Sequence, residues 1–326
     1  MLAPDEKFYY FKRSQFKPST QTRLEKDFKF EFWNEIIAYE IGNLLGFKVL
    51  QYNIAIDENI MGCISESMIN PENQELIEGV KYLQAYSPEF DPSNTKHRAW
   101  YTFDLIDNAL RSARMGGFLI DLLELIILDA LIGNGDRHQE NWAIISTKLP
   151  LSDILNEEGK YQNGIFKKMI QALKWLENKL KARREALPQS YYEIDYTFAP
   201  IYDSGSSLGR ELLTEKVELL LSSEEELKTY VLKGTSEIHW ENKKVSHFQL
   251  IRNLLDSPHR ENLKNIIARV IQKFNGPKIE QLIEAVDQEV PETHAGYRIP
   301  SSRKRLIYKI ITLRFETLRE LINERV

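Results

Sequence analysis

The sequence predicts an α+β protein with two lobes, a small N-terminal lobe made of a β-sheet and one helix and a larger, mostly helical C-terminal lobe. The first seventy positions combine strand-like apolar runs with one stretch of apolar residues at helical spacing, whereas the chain becomes mainly helical in pattern from about position 97 onward. Prolines interrupt regular structure between these regions. The 326 residues are enough for both lobes. We therefore expect an N-terminal lobe over 1–70, a hinge and inter-lobe connection over 71–100, and a C-terminal lobe over 101–326.

Local patterns predict the elements of the N-terminal lobe. Residues 8–11 read Phe-Tyr-Tyr-Phe, an aromatic run typical of a half-buried strand. An apolar stripe predicts a helix over 30–45, and the glycine that follows is a stop signal. Alternation over 50–56 and an apolar run over 61–68 predict two strands that pair through a turn at 57–59. Together these elements predict a small sheet with one helix packed on it.

The C-terminal lobe contains the most apolar part of the chain. Residues 118–131 are apolar on nearly every side, so we expect a buried helix that the glycine at position 133 ends. Short strands are predicted over 142–145 and 195–202, and a helix with a basic end is predicted over 164–187. Four further helices are predicted, over 212–221, 248–255, 262–274 and 306–322.

Bulk properties exclude several classes of protein. The net charge of −5 and the pI near 5.8 argue against broad affinity for nucleic acid or anionic lipid, so no nucleic-acid partner is expected. The single cysteine, Cys63, excludes an intramolecular disulfide and is expected to be a small buried hydrophobe. The N-terminus lacks the apolar region of a secretory signal, and the stretch 118–132 is too short and too charged to span a bilayer. A cytoplasmic location is therefore the default expectation, with export by a non-standard route as the alternative.

The most informative segment is 135–141, which reads Gly-Asp-Arg-His-Gln-Glu-Asn between the apolar helix and a short strand. Phosphoryl transfer from a nucleotide needs a carboxylate that orients the acceptor hydroxyl and takes its proton, and Asp136 is the candidate. It also needs an oxygen ligand that helps to hold Mg²⁺ on the phosphates, and Asn141 is the candidate. The segment therefore indicates nucleotide-dependent phosphoryl transfer.

Asp203 is the second candidate metal ligand. It follows the apolar pair Ile201-Tyr202 at the end of a predicted strand and precedes a flexible Ser-Gly loop. Such a position suits a metal-binding carboxylate, although Asp before Ser-Gly is also ordinary turn chemistry. With Asp136 and Asn141 upstream, we favour a metal site formed by Asn141 and Asp203.

These segments resemble the HipA-like family of bacterial Ser/Thr kinases, and the loop 135–141 is also similar to the catalytic loop of phosphatidylinositol 3- and 4-kinases. The resemblance implies a two-lobed protein-kinase-like fold with ATP bound in the cleft. It implies that Asp136 is the catalytic Asp, that Asn141 is the first Mg²⁺ ligand, and that Asp203 is the metal-binding Asp after the following strand.

The same resemblance implies ATP-binding residues in the smaller lobe. Lys12 lies where the family has its phosphate-binding Lys, and Glu35 matches the helical Glu that pairs with it. Glu31 lies one helical turn away, so the sequence leaves the choice between the two acids open. Backbone groups near Glu66 and Met68 would meet the adenine at the start of the hinge.

Two residues inside the loop have open roles. His138 is a catalytic candidate that either contacts the transferred phosphate or holds the loop, since an imidazole donates a hydrogen bond in either charge state. Arg137 either supports the loop by pairing with an acid or lies on the surface. No second His or Cys lies at ligand spacing from His138, so zinc is not expected.

One feature departs from the family pattern. The eleven residues before Lys12 contain no glycine, so a glycine-rich cover over the phosphates is not evident. The polar loop 14–22 is the candidate substitute. Its hydroxyl residues are also candidate sites of self-phosphorylation, namely Ser14, Ser19, Thr20 and Thr22.

We therefore predict an ATP- and Mg²⁺-dependent Ser/Thr protein kinase that is capable of autophosphorylation and acts on a protein partner. A lipid kinase is the nearest alternative, but the segment 204–215 after Asp203 contains only one basic residue, Arg210, that could meet an anionic head group. A pseudokinase that binds nucleotide and acts as an interaction module is the second alternative.

Overall fold

The computed structural model describes residues 7–17, 26–150 and 192–323. The helix predicted over 164–187 lies outside these ranges. The helices are α1 (Glu31–Leu45), α2 (Gly79–Tyr86), α3 (Phe103–Ser112), α4 (Leu119–Ile132), α5 (Thr214–Ser222), α6 (Glu224–Lys233), α7 (His247–Leu255), α8 (Arg260–Lys273), α9 (Gly276–Ala285) and α10 (Ser301–Asn323). The strands are β1 (Tyr9–Lys12), β2 (Phe16–Lys17), β3 (Lys26–Asp27), β4 (Asn53–Asp57), β5 (Ile60–Glu66), β6 (Gln74–Glu78), β7 (Ala143–Pro150) and β8 (Tyr192–Phe198). The predicted α+β class, with a helical C-terminal region, is confirmed.

The N-terminal sheet has the strand order β1-β5-β4, and both pairings are antiparallel. Strands β4 and β5 form a hairpin whose last pair is Asp57 with Ile60, so the turn contains two residues. Glu58 in that turn has φ 55°, the positive value that tight hairpin turns require. The aromatic strand and the turn at 57–59 predicted from the sequence are therefore present.

Helix α1 packs against this sheet and follows its predicted limits closely. Trp33, Ile37 and Ile41 are fully buried along one stripe, which accounts for the position of the helix. Gly46 ends it in the left-handed conformation with φ 82°, where a glycine carries no Cβ penalty. Three polar residues of α1 are buried as well, namely Glu31, Asn34 and Glu35. Buried polar groups need partners, which points to a network around this helix.

Helix α4 is the central element of the helical part. Eleven of its residues are buried, in agreement with the apolar pattern of the sequence. Gly133 has φ 71° and ends the helix at the predicted position. The guanidinium of Arg314, from α10, donates to the carbonyl of Ala130 at 2.9 Å, which supplies a cation at the helix C-terminus.

Four observed helices were not predicted from the sequence pattern, namely α2, α3, α6 and α9, and the remaining C-terminal helices agree with the predicted ones to within a few residues. The interval expected to lack regular structure between the prolines contains β6 and α2. Helix α2 is only eight residues long, so its apolar period is too short to stand out. Among the described residues, no helix has the length and the apolar character needed to cross a membrane.

The chain divides into two compact units, one made of Met1–Met68, Glu78–Ala143 and Ala199–Val326, the other of Ile69–Ile77 and Ile144–Phe198. Within the smaller unit, β7 and β8 run antiparallel with Thr147 opposite Asp195. Strand β8 ends at Phe198, four residues before the end predicted at 202. The lobe limits predicted at 70 and 100 stay predictions.

Candidate active site

The loop 134–141 is supported from beneath by a buried ion pair. The guanidinium of Arg137 is 1% exposed and donates to both carboxylate oxygens of Asp129, in α4, at 2.9 Å each. It also donates to the carbonyl of Asn141 at 2.9 Å and to the carbonyl of Tyr202. Arg137 therefore joins α4, the end of the loop and the segment before Asp203, which settles the alternative of a surface Arg in favour of a paired one.

Burial shapes the electrostatics of this pair. Burial raises the pKa of Asp129, and Arg137 offsets only part of that effect. Burial lowers the pKa of Arg137, but the carboxylate of Asp129 outweighs it, so the net pKa lies above the ordinary value. Such a pair fixes the position of the loop relative to α4, because separating the two side chains would leave a buried charge without its partner.

Asp136 is held by its backbone, while its carboxylate lies in an exposed residue. The side chain of Asn134, fully buried, accepts from the N–H of Asp136 at 3.2 Å and donates to Asp129 at 3.1 Å. The side-chain nitrogen of Asn141 donates to the carbonyl of Asp136 at 2.8 Å. The structure thus brings the two predicted residues of the loop together. Asn134 was not identified from the sequence, although an Asn directly after a helix-ending glycine is a usable signal.

Lys12 is the centre of a second charge network, the open network, which consists of Lys12, Glu35 and Asp203. The ammonium of Lys12, at the end of β1, forms ion pairs with Glu35 of α1 and with Asp203. The side chain of Glu35 is fully buried, whereas Lys12 and Asp203 are 30% and 38% exposed. Three residues that are distant in sequence therefore meet at one point, on a side accessible to solvent.

The pKa values in the open network reflect burial and mutual attraction. Burial lowers the pKa of Lys12, but Glu35 and Asp203 outweigh it, so the net pKa lies above the ordinary value. Burial raises the pKa of Asp203, but Lys12 outweighs it and the net pKa is lowered. Burial raises the pKa of Glu35, and Lys12 offsets this only in part. Lys12 accordingly carries its charge in the folded protein.

The choice between Glu31 and Glu35 as partner of Lys12 is decided by these contacts in favour of Glu35. Glu31 instead forms an ion pair with Arg210 and accepts from the backbone N–H of Gln15 at 2.8 Å. The guanidinium of Arg210 also lies 4.3 Å from the centre of the Phe28 ring. Arg210 is therefore engaged with the N-terminal turn of α1.

The backbone of Asp203 adopts the left-handed conformation, which is uncommon outside glycine and which Asn and Asp tolerate better than other residues. Its φ is 54°, in the left-handed region that non-glycine residues rarely adopt and that costs on the order of 1–3 kcal/mol. Its N–H lies 3.4 Å from the hydroxyl of Tyr52. Just upstream, Ile201 makes a parallel bridge to Val49. Strained residues of this kind are often found at functional sites, since the surroundings must hold them in place.

The segment after Asp203 is fastened to α1. The N–H of Ser204 donates to Glu35 at 2.7 Å, and the side chain of Asn34 donates to the carbonyls of Gly205 and Ser207 at 3.4 and 2.6 Å. A Cβ on Gly205 would lie 2.9 Å from a carboxylate oxygen of Glu35, so the residue must be glycine for this close approach. Asn34 was missed from the sequence, where it reads only as a polar residue inside an amphipathic helix.

His138 is turned toward its own loop. Its Nδ1 lies 3.3 Å from a carboxylate oxygen of Glu140, and its carbonyl accepts from the N–H of Asn141 at 2.9 Å. These contacts favour the loop-holding role. Its predicted contact with a transferred phosphate stays a prediction.

Glu66 and Met68 lie at the end of β5, where the ladder to β1 finishes. The N–H of Ser67 donates to the carbonyl of Phe8 at 2.8 Å. Because backbone groups alternate along an antiparallel strand, those of Glu66 are directed away from β1. Its side chain is paired with Lys7 at 2.8 Å. The adenine contacts predicted at Glu66 and Met68 would use the backbone, and they stay predictions.

The polar loop 14–22 is described only in its first part. The hydroxyl of Ser14 donates to the carbonyl of Lys29 at 2.9 Å and lies 3.3 Å from the N–H of Phe32, so it is held against the start of α1. Ser19, Thr20 and Thr22 lie outside the described residues. Across the ranges 7–17, 26–150 and 192–323, no group of three or more His, Cys, Asp or Glu side chains is arranged to hold a metal ion. A metal held by Asn141 and Asp203 would take its remaining ligands from phosphate oxygens and water.

Comparison with solved structures shows what this arrangement resembles. The crystal structure of the Helicobacter pylori proinflammatory kinase CtkA matches with a TM-score of 0.66 and 16% identity, over 99% of this chain and 90% of that chain. HipA from Shewanella oneidensis MR-1, solved with HipB and its operator DNA, matches with a TM-score of 0.42 and 12% identity, over 90% of this chain and 56% of that chain. No family model and no curated protein sequence matches the chain. The kinase fold predicted from the loop is thereby confirmed, and at this identity the likeness concerns the fold.

Proposed function

We propose that the chain is an ATP- and Mg²⁺-dependent kinase that transfers the γ-phosphate to Ser or Thr hydroxyls of proteins, its own included. The observation that carries the proposal is the ion-paired position of Lys12 between Glu35 and Asp203, residues 23 and 191 positions away in sequence. Phosphoryl transfer requires a charged Lys for the phosphates, a metal-binding carboxylate and a catalytic loop, and Lys12, Asp203 and the loop with Asp136 and Asn141 could provide them. The shared fold with a kinase supports the same conclusion.

Asp136 is the proposed general base. Its exposed carboxylate is accessible to an acceptor hydroxyl, while Asn134 and Asn141 hold its backbone. It orients the hydroxyl for attack and accepts its proton as the new oxygen–phosphorus bond forms and the bond between the γ-phosphate and ADP breaks, so that ADP leaves. Lys12, steadied by Glu35, holds the phosphates of ATP, and the backbone near Glu66 and Met68 receives the adenine. Catalysis of this kind depends mainly on positioning and electrostatics.

Asn141 and Asp203 are the proposed Mg²⁺ ligands, and their chemistry fits that ion. Mg²⁺ prefers oxygen ligands and usually takes one or two carboxylates together with phosphate oxygens and water, so two protein ligands are sufficient. The side-chain nitrogen of Asn141 is engaged by the carbonyl of Asp136, which leaves its Oδ1 as the end that faces away from that bond. When bound, Mg²⁺ would neutralise charge on the phosphates.

A protein acceptor is favoured over a lipid head group by the position of Arg210. Arg210 is the only basic residue in the segment 204–215 that follows Asp203, and its side chain is largely buried in an ion pair with Glu31. Recruiting it to an anionic head group would leave the buried carboxylate of Glu31 without its partner, which is costly.

The test is phosphoryl transfer from labelled ATP with Mg²⁺ to a degenerate Ser/Thr peptide library and to the chain itself. Asp136→Asn should reduce transfer by ~10²-fold or more, since it removes the general base. Asp203→Asn should reduce it similarly through loss of a metal ligand. Asp57→Asn, at the exposed end of β4, is the matched control and should leave transfer unchanged.

The possible outcomes separate the candidate functions. Transfer at wild-type level by both site variants rules out the proposed kinase. ATP binding without transfer in any of the proteins identifies a pseudokinase instead. Mass spectrometry of the chain after incubation with ATP locates self-phosphorylation and tests the predicted hydroxyls of the loop 14–22.

A further inference from the structure

The hydroxyl of Ser206 lies 3.2 Å from Oδ2 of Asp136, within hydrogen-bonding reach of the proposed general base. We infer that Ser206 is a positioning residue, which donates to the carboxylate of Asp136 and fixes its orientation for the acceptor hydroxyl. The inference rests on the proposed kinase function. It assigns the orientation of the Asp136 carboxylate to a residue outside the loop 135–141.

Asp136 needs such a partner because its backbone contacts do not orient its carboxylate. Asn134 and Asn141 bind its N–H and its carbonyl. The torsion that turns an Asp carboxylate is broad, so an exposed one samples many orientations unless another group holds it. A carboxylate has about four lone-pair sites, so a bond from Ser206 to Oδ2 leaves Oδ1 for the acceptor.

Ser206 can serve this purpose because its own position is fixed from both sides. On one side, the N–H of Ser204 is bound to Glu35 and the carbonyl of Gly205 to Asn34. On the other, the carbonyl of Ser207 is bound to Asn34. The N–H of Leu208, one residue further along, donates to the carbonyl of Ile132 at the end of α4 at 2.9 Å.

The fastened segment therefore links the orientation of Asp136 to α1 and to α4. Since misplacement by about 1 Å in an active site costs on the order of 10²-fold in rate, a contact that holds the base in place has a measurable effect.

A hydroxyl that is hydrogen-bonded to the general base could also be the one that is phosphorylated. The surroundings of Ser206 argue against phosphorylation of its own hydroxyl. A phosphoserine would place about −1.5 to −2 charges beside the carboxylate of Asp136. The segment that would have to move away is held by the contacts to Glu35 and Asn34. A fixed donor beside the base fits a positioning role better than an acceptor role.

The experiment compares Ser206→Ala, Ser206→Thr and Ser207→Ala in steady-state transfer from ATP with Mg²⁺ to the peptide library. Ser207 is the matched control, because its buried hydroxyl has no hydrogen-bond partner among the residues that the structure describes, and Asn34 binds its carbonyl. We expect Ser206→Ala to lower kcat about tenfold, with the KM for ATP and the melting temperature close to wild type. Ser206→Thr, which keeps a hydroxyl, should restore most of the loss, and Ser207→Ala should behave as wild type.

Three results would overturn the inference while leaving the kinase proposal intact. The first is an unchanged kcat in Ser206→Ala. The second is an equal loss of kcat in Ser206→Ala and Ser207→Ala, with a lower melting temperature in both variants. The third is stoichiometric phosphate on Ser206, detected by mass spectrometry. If wild type transfers no phosphate to the library or to itself, the proposed function fails and this inference fails with it.

Discussion

The open network of Lys12, Glu35 and Asp203 and the buried pair of Asp129 and Arg137 are both built from opposite charges, yet they differ in contact with solvent. Lys12 and Asp203 keep about a third of their side-chain surface exposed, whereas Asp129 and Arg137 are 5% and 1% exposed. An ion pair that keeps contact with water can exchange partners when a ligand arrives. A pair sealed from water cannot, and it acts as scaffold for the loop above it.

The difference teaches which charges to assign to chemistry and which to stability. In the open network Lys12 already neutralises Asp203, so a metal ion at Asp203 would replace an existing counter-charge. In the buried pair, each oxygen of Asp129 is bound by Arg137. We therefore expect changes in the buried pair to affect stability first, and changes in the open network to affect transfer first.

Arg137→Met is the change with the largest expected effect. It leaves Asp129 buried without its cation, and breaking a buried ion pair in this way costs about 3–5 kcal/mol. The measurement is the free energy of unfolding in urea.

Arg111→Met is the control for this change, because Arg111 pairs with Asp107 but is 57% exposed, and its loss should cost ~0–1 kcal/mol. Equal losses in the two variants would contradict the division into buried and open networks.

Glu35→Gln should lower transfer while leaving most of the stability. One oxygen of Glu35 pairs with Lys12 and the other accepts from the N–H of Ser204. An amide offers only one acceptor oxygen, so one of these contacts is lost, and Lys12 keeps Asp203 as its only charged partner in the open network. We expect kcat/KM for ATP to fall by about 10- to 100-fold.

Glu40→Gln, a half-buried residue on the same helix, serves as comparison and should keep wild-type kinetics. A Glu35→Gln protein with normal kinetics and a much lower melting temperature would place Glu35 in the scaffold instead of the site.

The parts of the site that the sequence predicted are those encoded by local patterns. Asp136 and Asn141 share one short loop, and Asp203 follows an apolar strand-like run, so each was recognisable from its neighbours. The partner of Lys12 was narrowed to two acids but not chosen, because Glu31 and Glu35 lie one turn apart on the same helix. Only the packing of α1 against the segment after Asp203 decides between them.

The sequence did not predict contacts between residues that lie far apart in the chain, nor which of several residues of the same type makes a given contact. The sequence does not distinguish Ser204, Ser206 and Ser207 from one another. The backbone conformation of Asp203, with its positive φ, and the hydrogen bonds from Asn34 determine which of the three serines faces Asp136. Arg137 was left between two roles because its partner lies in the preceding helix. The short helix α2 escaped detection for a simpler reason, since two turns give too few apolar positions to define a period.

A buried histidine outside both charge networks predicts a dependence of stability on pH. His247, in α7, is buried, and its pKa is well below the ordinary value because of burial first and the cations Arg314 and Lys244 second. Below about pH 6.5 the imidazole of His247 binds a proton in the unfolded chain but stays neutral in the folded protein. The free energy of unfolding therefore falls as the pH falls. The slope contributed by one such group is up to ~1.4 kcal/mol per pH unit.

His247→Gln removes this titration and should flatten the acid slope by up to that amount. Urea unfolding at several pH values measures it, and the slope is informative even if the variant is less stable at every pH. Above about pH 7.5, where imidazole is neutral in both states, the two proteins should show the same slope. A variant with an unchanged acid slope would locate the acid sensitivity elsewhere.

The last prediction leaves the ion pairs unchanged and concerns Cys63, whose reactivity reports how firmly the strand that carries Lys12 is held in the sheet. Cys63 is fully buried on β5, the central strand, directly opposite Lys12 in β1. Burial raises the pKa of its thiol, Glu35 raises it further, and Lys12 opposes both. Since the thiolate is the reactive form, alkylation by iodoacetamide should be slower in the native protein than in urea, by a factor on the order of 10² or more. Rapid alkylation of the native protein would mean that β1 separates readily from β5. Lys12 would then be held by Glu35 and Asp203 alone, without the support of the sheet.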